Sequence, residues 1–162
     1  MPFFGFGITA QTLVGNSIGR GENKKAQFFG NETAKLATFY AIIIGIIFLI
    51  IPNWILLIFT TNDKIISIAV PLIRIAGIAQ LFYGSGIVFA YGLQAAGRSF
   101  YVMTADVIIN WLIFIPLAYF IAVYLGFGII GAWASMMFYV VLYSFAMMIK
   151  FNLSRWRMEK FN

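Results

Sequence analysis

The sequence lacks two residue types and has little charge. It contains no cysteine, which excludes disulfides and thiolate chemistry, and no histidine, which removes the commonest general base and a common metal ligand. We therefore expect no enzymatic activity, no metal site and no cofactor. Charged residues make up only 10% of the chain and hydrophobic residues 62%, whereas a soluble domain has roughly 25% and 45–50%. The surrounding medium is expected to be a lipid bilayer.

Stretches without charge predict an all-α membrane protein. A membrane helix needs about 20 mostly apolar residues. The charge-free runs predict five transmembrane helices, over approximately 3–18, 36–59, 65–95, 100–125 and 129–150, followed by a cytoplasmic tail over 151–162. The last two helices come from one long charge-free stretch that turns at Gly126–Gly128. Barrel strands are excluded because polar and apolar residues do not alternate along these segments.

Basic residues collect on one predicted side of the membrane. If five helices alternate in direction, the loops after the first and third helices and the tail lie together. Lys64 lies on the opposite side. The two loops and the tail hold nine of the basic residues: Arg20, Lys24, Lys25, Lys35, Arg98, Lys150, Arg155, Arg157 and Lys160. The positive-inside rule makes the basic side cytoplasmic. We predict a multi-pass protein of the plasma membrane with a cytoplasmic C-terminus, and no nucleic-acid partner despite the net charge of +6.

Four polar residues within predicted helices are candidates for a substrate or ion pathway: Asp106, Asn110, Arg74 and Gln80. Charged residues inside a membrane usually face a bundle interior or a wet cavity. Arg74 could instead extend its long side chain so that the guanidinium group reaches the outer membrane interface. The Asp106 side chain is too short for this and needs a polar partner, for which Asn110, one turn on, is a candidate. A Gln80 amide often joins neighbouring helices instead.

Glycine and proline residues are candidates for hinges or close helix packing: Gly15, Gly19, Gly21, Pro71, Gly97 and Pro116. Gly15 and Gly19 form a G-x-x-x-G pattern, which permits close approach of two helices. The two prolines remove backbone hydrogen bonds and allow their helices to bend. Gly5, Gly7 and Ala10 match G-x-G-x-x-A, but without a preceding strand this pattern does not predict nucleotide binding.

Four motifs in this order resemble those of the multidrug and toxic compound extrusion (MATE) family. "GFGITAQTLVGNSIGRGENKKA" resembles the family's V-G-Q-x-x-G-A-G-x-x-x-x-A turn after an apolar helix. "PLIRIAGIAQLF" resembles its Y-L-R-I segment, with Arg74 as the arginine, and "YGLQAAGRS" is similar to its G-x-L-R-G-x-G-x-T turn. "NWLIFIPLAYFIAVYLGFGIIGAW" is similar to a stretch near the family's end.

The resemblance implies a fold and a function. Family members have twelve helices in two six-helix lobes and expel small organic, typically cationic, compounds by alternating access, coupled to sodium or protons. The five predicted helices would be helices eight to twelve, which form most of the C-terminal lobe. The N-terminal lobe would then be missing, so we expect the coupling-ion site to lie outside this chain and the chain alone to be inactive.

Departures from the family pattern leave alternatives open. Gln94 and Ala95 stand where Arg-Gly is usual, and the acidic residue that some members have near 83–85 is absent. Asp106 is not a motif match. One alternative function is export of a lipid or polysaccharide within the same superfamily. Another is a non-transporting membrane protein, either an interaction subunit or a gene remnant.

Overall fold

Helices form nearly all of the computed structural model, which describes residues 2–153. The helices, numbered here in chain order, are α1 (Pro2–Gly19), α2 (Asn23–Ile50), α3 (Pro52–Leu57), α4 (Asp63–Ala95), α5 (Ser99–Tyr124) and α6 (Gly128–Leu153). Within these described residues there is no strand, and α2, α4, α5 and α6 are long and apolar enough to cross a membrane. The predicted class, an all-α membrane protein, is confirmed.

The first predicted span differs from the other four. With 18 residues, α1 is about 27 Å long at 1.5 Å per residue, and Gln11 and Asn16 lower its hydropathy. Among residues 2–153 it does not belong to the helices long and apolar enough to span a bilayer.

Three boundaries differ from the sequence prediction. α2 begins at Asn23 rather than near 36, because its charged first part is stabilised by the ion pairs Glu22–Lys25 (2.9 Å) and Glu32–Lys35 (2.6 Å). α2 stops at Ile50, because the residue before Pro52 is disfavoured in the helical conformation. α6 runs to Leu153, so 151–153 is helix rather than tail, and the rest of the predicted tail lies outside the described residues.

Two turns on the basic side are built in the same way. Gly21 (φ +74°) and Gly97 (φ +73°) end α1 and α4 in the left-handed conformation. In each turn the amide of the next residue reaches back five positions: Glu22 N–H donates to the Ser17 carbonyl, and Arg98 N–H donates to the Leu93 carbonyl, both at 2.9 Å. These bonds define a Schellman cap, in which glycine is favoured because it has no Cβ.

The core centres on α4, which packs against α1, α2 and α6. The buried face of α2 consists of small residues, which we call the α2 stripe: Ala26, Gly30, Thr33, Ala34, Ala37, Ala41 and Gly45. A Cβ added at Gly45 would lie 2.8 Å from the Gly77 carbonyl oxygen, and one at Gly77 would lie 3.1 Å from that of Gly45. The stripe therefore brings the two helix backbones together, as small residues do within membranes.

Phe151 fixes the end of α6 against α2 and α4. Its ring is fully buried, lies against Gly30 of α2 and Gly92 of α4, and is 5.2 Å from the Phe89 ring between centroids. Beside it, the side-chain oxygen of Asn152, Oδ1, accepts hydrogen bonds from Gln27 Nε2 (3.2 Å) and Asn31 Nδ2 (3.1 Å). Aromatic packing and polar contacts therefore join three helices at this end of the bundle.

α5 is less tightly packed than α4 and contains two wide turns. It lies along α6, and its contacts with α4 come mainly from the first ten residues, Ser99–Ile108. The segments Ile109–Phe114 and Phe120–Tyr124 are π-helical, with five-residue spacings such as Ile115 N–H to the Asn110 carbonyl. The first π-turn directly precedes Pro116, whose ring would clash with a carbonyl of a regular α-helix.

Candidate functional site

A cavity lies between α4, α5 and α6. Its volume is about 730 Å³. The polar groups along its wall are Tyr83, Tyr91, Gln94, Ser99, Asp106, Tyr139 and Tyr143. We call this cavity the Asp106 chamber, because Asp106 is the one acidic residue on its wall. No lysine or arginine of the described chain is part of the wall.

Asp106 has a close partner on the neighbouring helix. The Tyr139 hydroxyl on α6 donates a hydrogen bond to Asp106 Oδ1 on α5, at 2.6 Å, and both residues are half-buried. A hydrogen bond to a carboxylate is about twice as strong as one between neutral groups. This contact supplies the polar partner that a short acidic side chain requires inside a membrane.

Aromatic contacts fix the position of Tyr139. Its ring stacks on that of Tyr143 with centroids 6.0 Å apart, and lies 5.7 Å from the ring of Phe114 on α5. Sequence reasoning did not single out Tyr139, which is 33 positions from Asp106 in the chain. A signal was present, because Ser135, Tyr139 and Tyr143 recur at four-residue spacing and share one face of α6.

A second cavity adjoins the first. It has a volume of about 490 Å³, and its wall comes from α1, α2, α4 and α6. We call it the Gln80 chamber, because Gln80 lines it and its buried Oε1 atom has no hydrogen-bond partner within residues 2–153. Tyr83, Tyr139 and Val140 belong to the walls of both chambers, so the two cavities are neighbours.

The other two candidate pathway residues lie elsewhere. Arg74 is exposed on α4, forms no ion pair with any residue in 2–153, and is not on the wall of either chamber. Asn110 is half-buried in the first π-turn of α5 and is also not on these walls. The wider turn changes the angular spacing along the helix, so positions four apart no longer share a face there. The structure therefore brings Asp106 and Gln80 to adjoining chambers and separates them from Arg74 and Asn110.

The candidate hinge and packing residues fall into distinct settings. Gly21 and Gly97 form the two Schellman turns, and Pro116 follows the first π-turn. An added Cβ at Gly15 would make an ordinary contact of 3.7 Å with Ala95, and one at Gly19 would meet nothing within 4 Å. Pro71 lies inside α4 without ending it. Close contact between backbones occurs instead along the α2 stripe.

Acidic, histidine and cysteine side chains do not form a group of three that could hold a metal ion within the part of the chain that the structure describes. Asp106 is paired with the phenol of Tyr139. A single carboxylate among aromatic rings has the chemistry to attract an organic cation, through its charge and through the faces of the rings.

Comparison with known proteins gives a consistent result. A family model described as MatE matches residues 1–120. The chain is 26% identical to the "Probable multidrug resistance protein NorM" of Thermotoga maritima, over 96% of this chain and 34% of that protein. It is also 26% identical to the "Multidrug and toxin extrusion protein 2" of Mus musculus, over 94% of this chain and 27% of that protein.

A third relative is the "Uncharacterized transporter C4B3.13" of Schizosaccharomyces pombe, at 25% identity over 80% of this chain and 24% of that protein. The chain therefore spans about a third or less of the length of the curated relatives it matches. No solved structure matches it.

Proposed function

Because the chain belongs to the MatE family, we propose that it forms part of a membrane transporter that expels cationic organic compounds. The membership confirms the resemblance predicted from the four sequence motifs. The names of two relatives describe multidrug resistance and multidrug and toxin extrusion. Transport by alternating access, driven by sodium or protons, is part of the proposal, and no enzymatic reaction is.

The observation that carries the proposal is the Asp106–Tyr139 pair on the wall of the Asp106 chamber. Asp106 supplies a negative charge on a wall whose other side chains are aromatic, aliphatic or neutral polar groups. In a chamber of low polarity, this charge attracts a cation more strongly than it would in water. The rings of Tyr83, Tyr91 and Tyr143 add faces on which a cation or an aromatic compound is stabilised.

We further propose the orientation of the chain in the plasma membrane. The Gly21 and Gly97 turns, with their neighbouring basic residues, face the cytoplasm, and the loop before α4 faces outward. Labelling of single introduced cysteines tests this orientation cleanly, since the natural sequence has none. Lys24→Cys is expected to react with a membrane-impermeant maleimide only after the cells are opened, and Lys64→Cys before. Equal labelling of both in intact cells would refute this orientation.

Transport is proposed to require polypeptide beyond these residues. The relatives are about three times longer or more, and we expect the coupling-ion site and the second half of the substrate pathway in the corresponding additional helices. Co-expression of this chain with an N-terminal lobe from the same family is therefore expected to be necessary for export. Export by this chain alone would refute that requirement.

Ethidium accumulation in a host without its main efflux pumps tests the function. Cells with the chain and an N-terminal lobe are expected to accumulate less ethidium than cells with the lobe alone. Asp106→Asn is expected to abolish the difference. Asp63→Asn is the matched control, because Asp63 is exposed at the start of α4 and lines neither chamber. Equal ethidium export by the Asp106→Asn variant and the natural sequence would remove Asp106 from the substrate site.

A further inference from the structure

The Tyr139 side chain forms part of the wall between the two chambers. On one side its hydroxyl donates to Asp106. On the other side, Gln80 lines the Gln80 chamber, and its Oε1 atom is buried and has no hydrogen-bond partner among residues 2–153. Tyr139 therefore has its acceptor on one side, and a residue with an unused acceptor shares the cavity on the other.

An unpaired buried acceptor is unfavourable. Leaving a carbonyl oxygen without a partner carries a desolvation cost, and such atoms are uncommon in native structures. Gln80 lies on α4 and Tyr139 on α6, and both line the same cavity. Among the residues shared by both walls, Tyr83 and Tyr139 carry side-chain donors, and Tyr139 is the one bonded to Asp106.

A bound cation changes the balance between the two acceptors. The bond from Tyr139 to Asp106 is strong because the carboxylate is charged. A cation next to Asp106 neutralises that charge, so the bond weakens toward that of a neutral pair. A bulky cation also occupies the space along the chamber wall where the Tyr139 hydroxyl lies. Gln80 Oε1, a neutral amide oxygen, then becomes a comparable acceptor.

We propose that the Tyr139 hydroxyl moves from Asp106 to Gln80 Oε1 when a cation occupies the Asp106 chamber. Gln80 is then a positioning residue, which acts on ligand affinity through Tyr139 without touching the ligand. The inference rests on the proposed function in one respect, namely that Asp106 binds the cation. It adds that cation binding in the Asp106 chamber changes the Gln80 chamber as well, because Tyr139 belongs to the walls of both.

A double-mutant cycle on ethidium binding tests the inference. The purified chain in lipid nanodiscs is titrated with ethidium, and circular dichroism checks the helix content of each variant. Gln80→Met removes the second acceptor and is expected to weaken binding about fivefold, the effect of losing one ordinary hydrogen bond. Tyr139→Phe removes the donor and is expected to tighten binding, because the cation no longer competes for Asp106. In the Tyr139→Phe background, Gln80→Met is expected to change affinity by less than about twofold.

Controls separate the two levels of the proposal. Gln11→Met makes the same chemical change on α1, away from both chamber walls, and is expected to leave affinity unchanged. Gln80→Leu repeats the test if Gln80→Met alters the helix content. Equal effects of Gln80→Met in both backgrounds, no effect in either, or weaker binding by Tyr139→Phe would overturn the movement of the hydroxyl. Ethidium binding that is unchanged by Asp106→Asn would instead overturn the cation site itself.

Discussion

Gly30→Ala tests the packing of the Phe151 ring between α2 and α4. A Cβ at position 30 would overlap the Phe151 Cζ and lie 2.7 Å from its Cε1. The ring has little freedom to withdraw, since it is fully buried and a Cβ at Gly92 on α4 would also lie only 2.8 Å from its Cε2. The added methyl group therefore forces α2 and α6 apart at this end of the bundle.

The magnitude follows from two opposing terms. Overpacking of a tight interior costs about 1–3 kcal/mol. Replacement of a glycine inside a helix by alanine contributes roughly 0.5–1 kcal/mol in the stabilising direction. We expect Gly30→Ala to lower the free energy of unfolding by about 1–2 kcal/mol. Gly5→Ala, where an added Cβ meets nothing within 4 Å, is the matched control and is expected to raise it by roughly 0.5–1 kcal/mol.

The assay is reversible unfolding by SDS in mixed micelles, followed by circular dichroism. A second change gives a further check: Phe151→Leu in the Gly30→Ala background shortens the opposing side chain and is expected to restore part of the lost stability. If Gly30→Ala is as stable as Gly5→Ala, or if Phe151→Leu gives no recovery, the ring does not lie between the two glycines and the reasoning fails.

Three further predictions use the same SDS titration. Gly97→Ala is expected to lower the free energy of unfolding by about 1–2 kcal/mol, because alanine is strained at positive φ. Gly19→Ala, where an added Cβ meets nothing within 4 Å, should leave it unchanged. Equal effects of the two changes would contradict the left-handed turn at Gly97. Ser144→Ala removes the 2.8 Å hydrogen bond from Ser144 Oγ to the Phe82 carbonyl. The free energy of unfolding is expected to fall by about 0.6 kcal/mol, the average contribution of a hydrogen bond between membrane helices. A gain in stability would count against that bond. Arg74→Gln is expected to change stability by less than about 0.5 kcal/mol, and a larger loss would reveal a partner for the arginine.

The membrane-spanning part of the fold was predictable because charged residues collect at its ends and only Arg74 and Asp106 lie within its apolar segments. The start of α2 was not, since the same rule assigns residues 23–35 to a loop. Glu32 and Lys35 instead pair on one face of the helix, and such pairs at three-residue spacing support a helix in water. Charge therefore marks where the apolar core ends, which is not where the helix ends.

The candidate site was predictable in part. An acidic residue such as Asp106 stands out in an apolar segment, and its need for a polar partner follows from the cost of burying charge. The identity of the partner does not follow, because Tyr139 reaches it only through the packing of α5 on α6. The neighbour along the helix, Asn110, was the natural choice under regular α-helical spacing. The π-turn that begins at Ile109 breaks that spacing.

The two π-turns of α5 have a consequence for how the length of this helix varies in evolution. A π-turn holds one residue more than an α-turn, so each behaves as a one-residue insertion that is absorbed locally. Deletion of one residue from Ile109–Phe114 or Phe120–Tyr124 would restore a regular turn and leave the flanking residues in their original alignment with α6. In most membrane helices a one-residue gap rotates every later side chain to a different face. Homologues that differ in length should therefore place their gaps within these two segments.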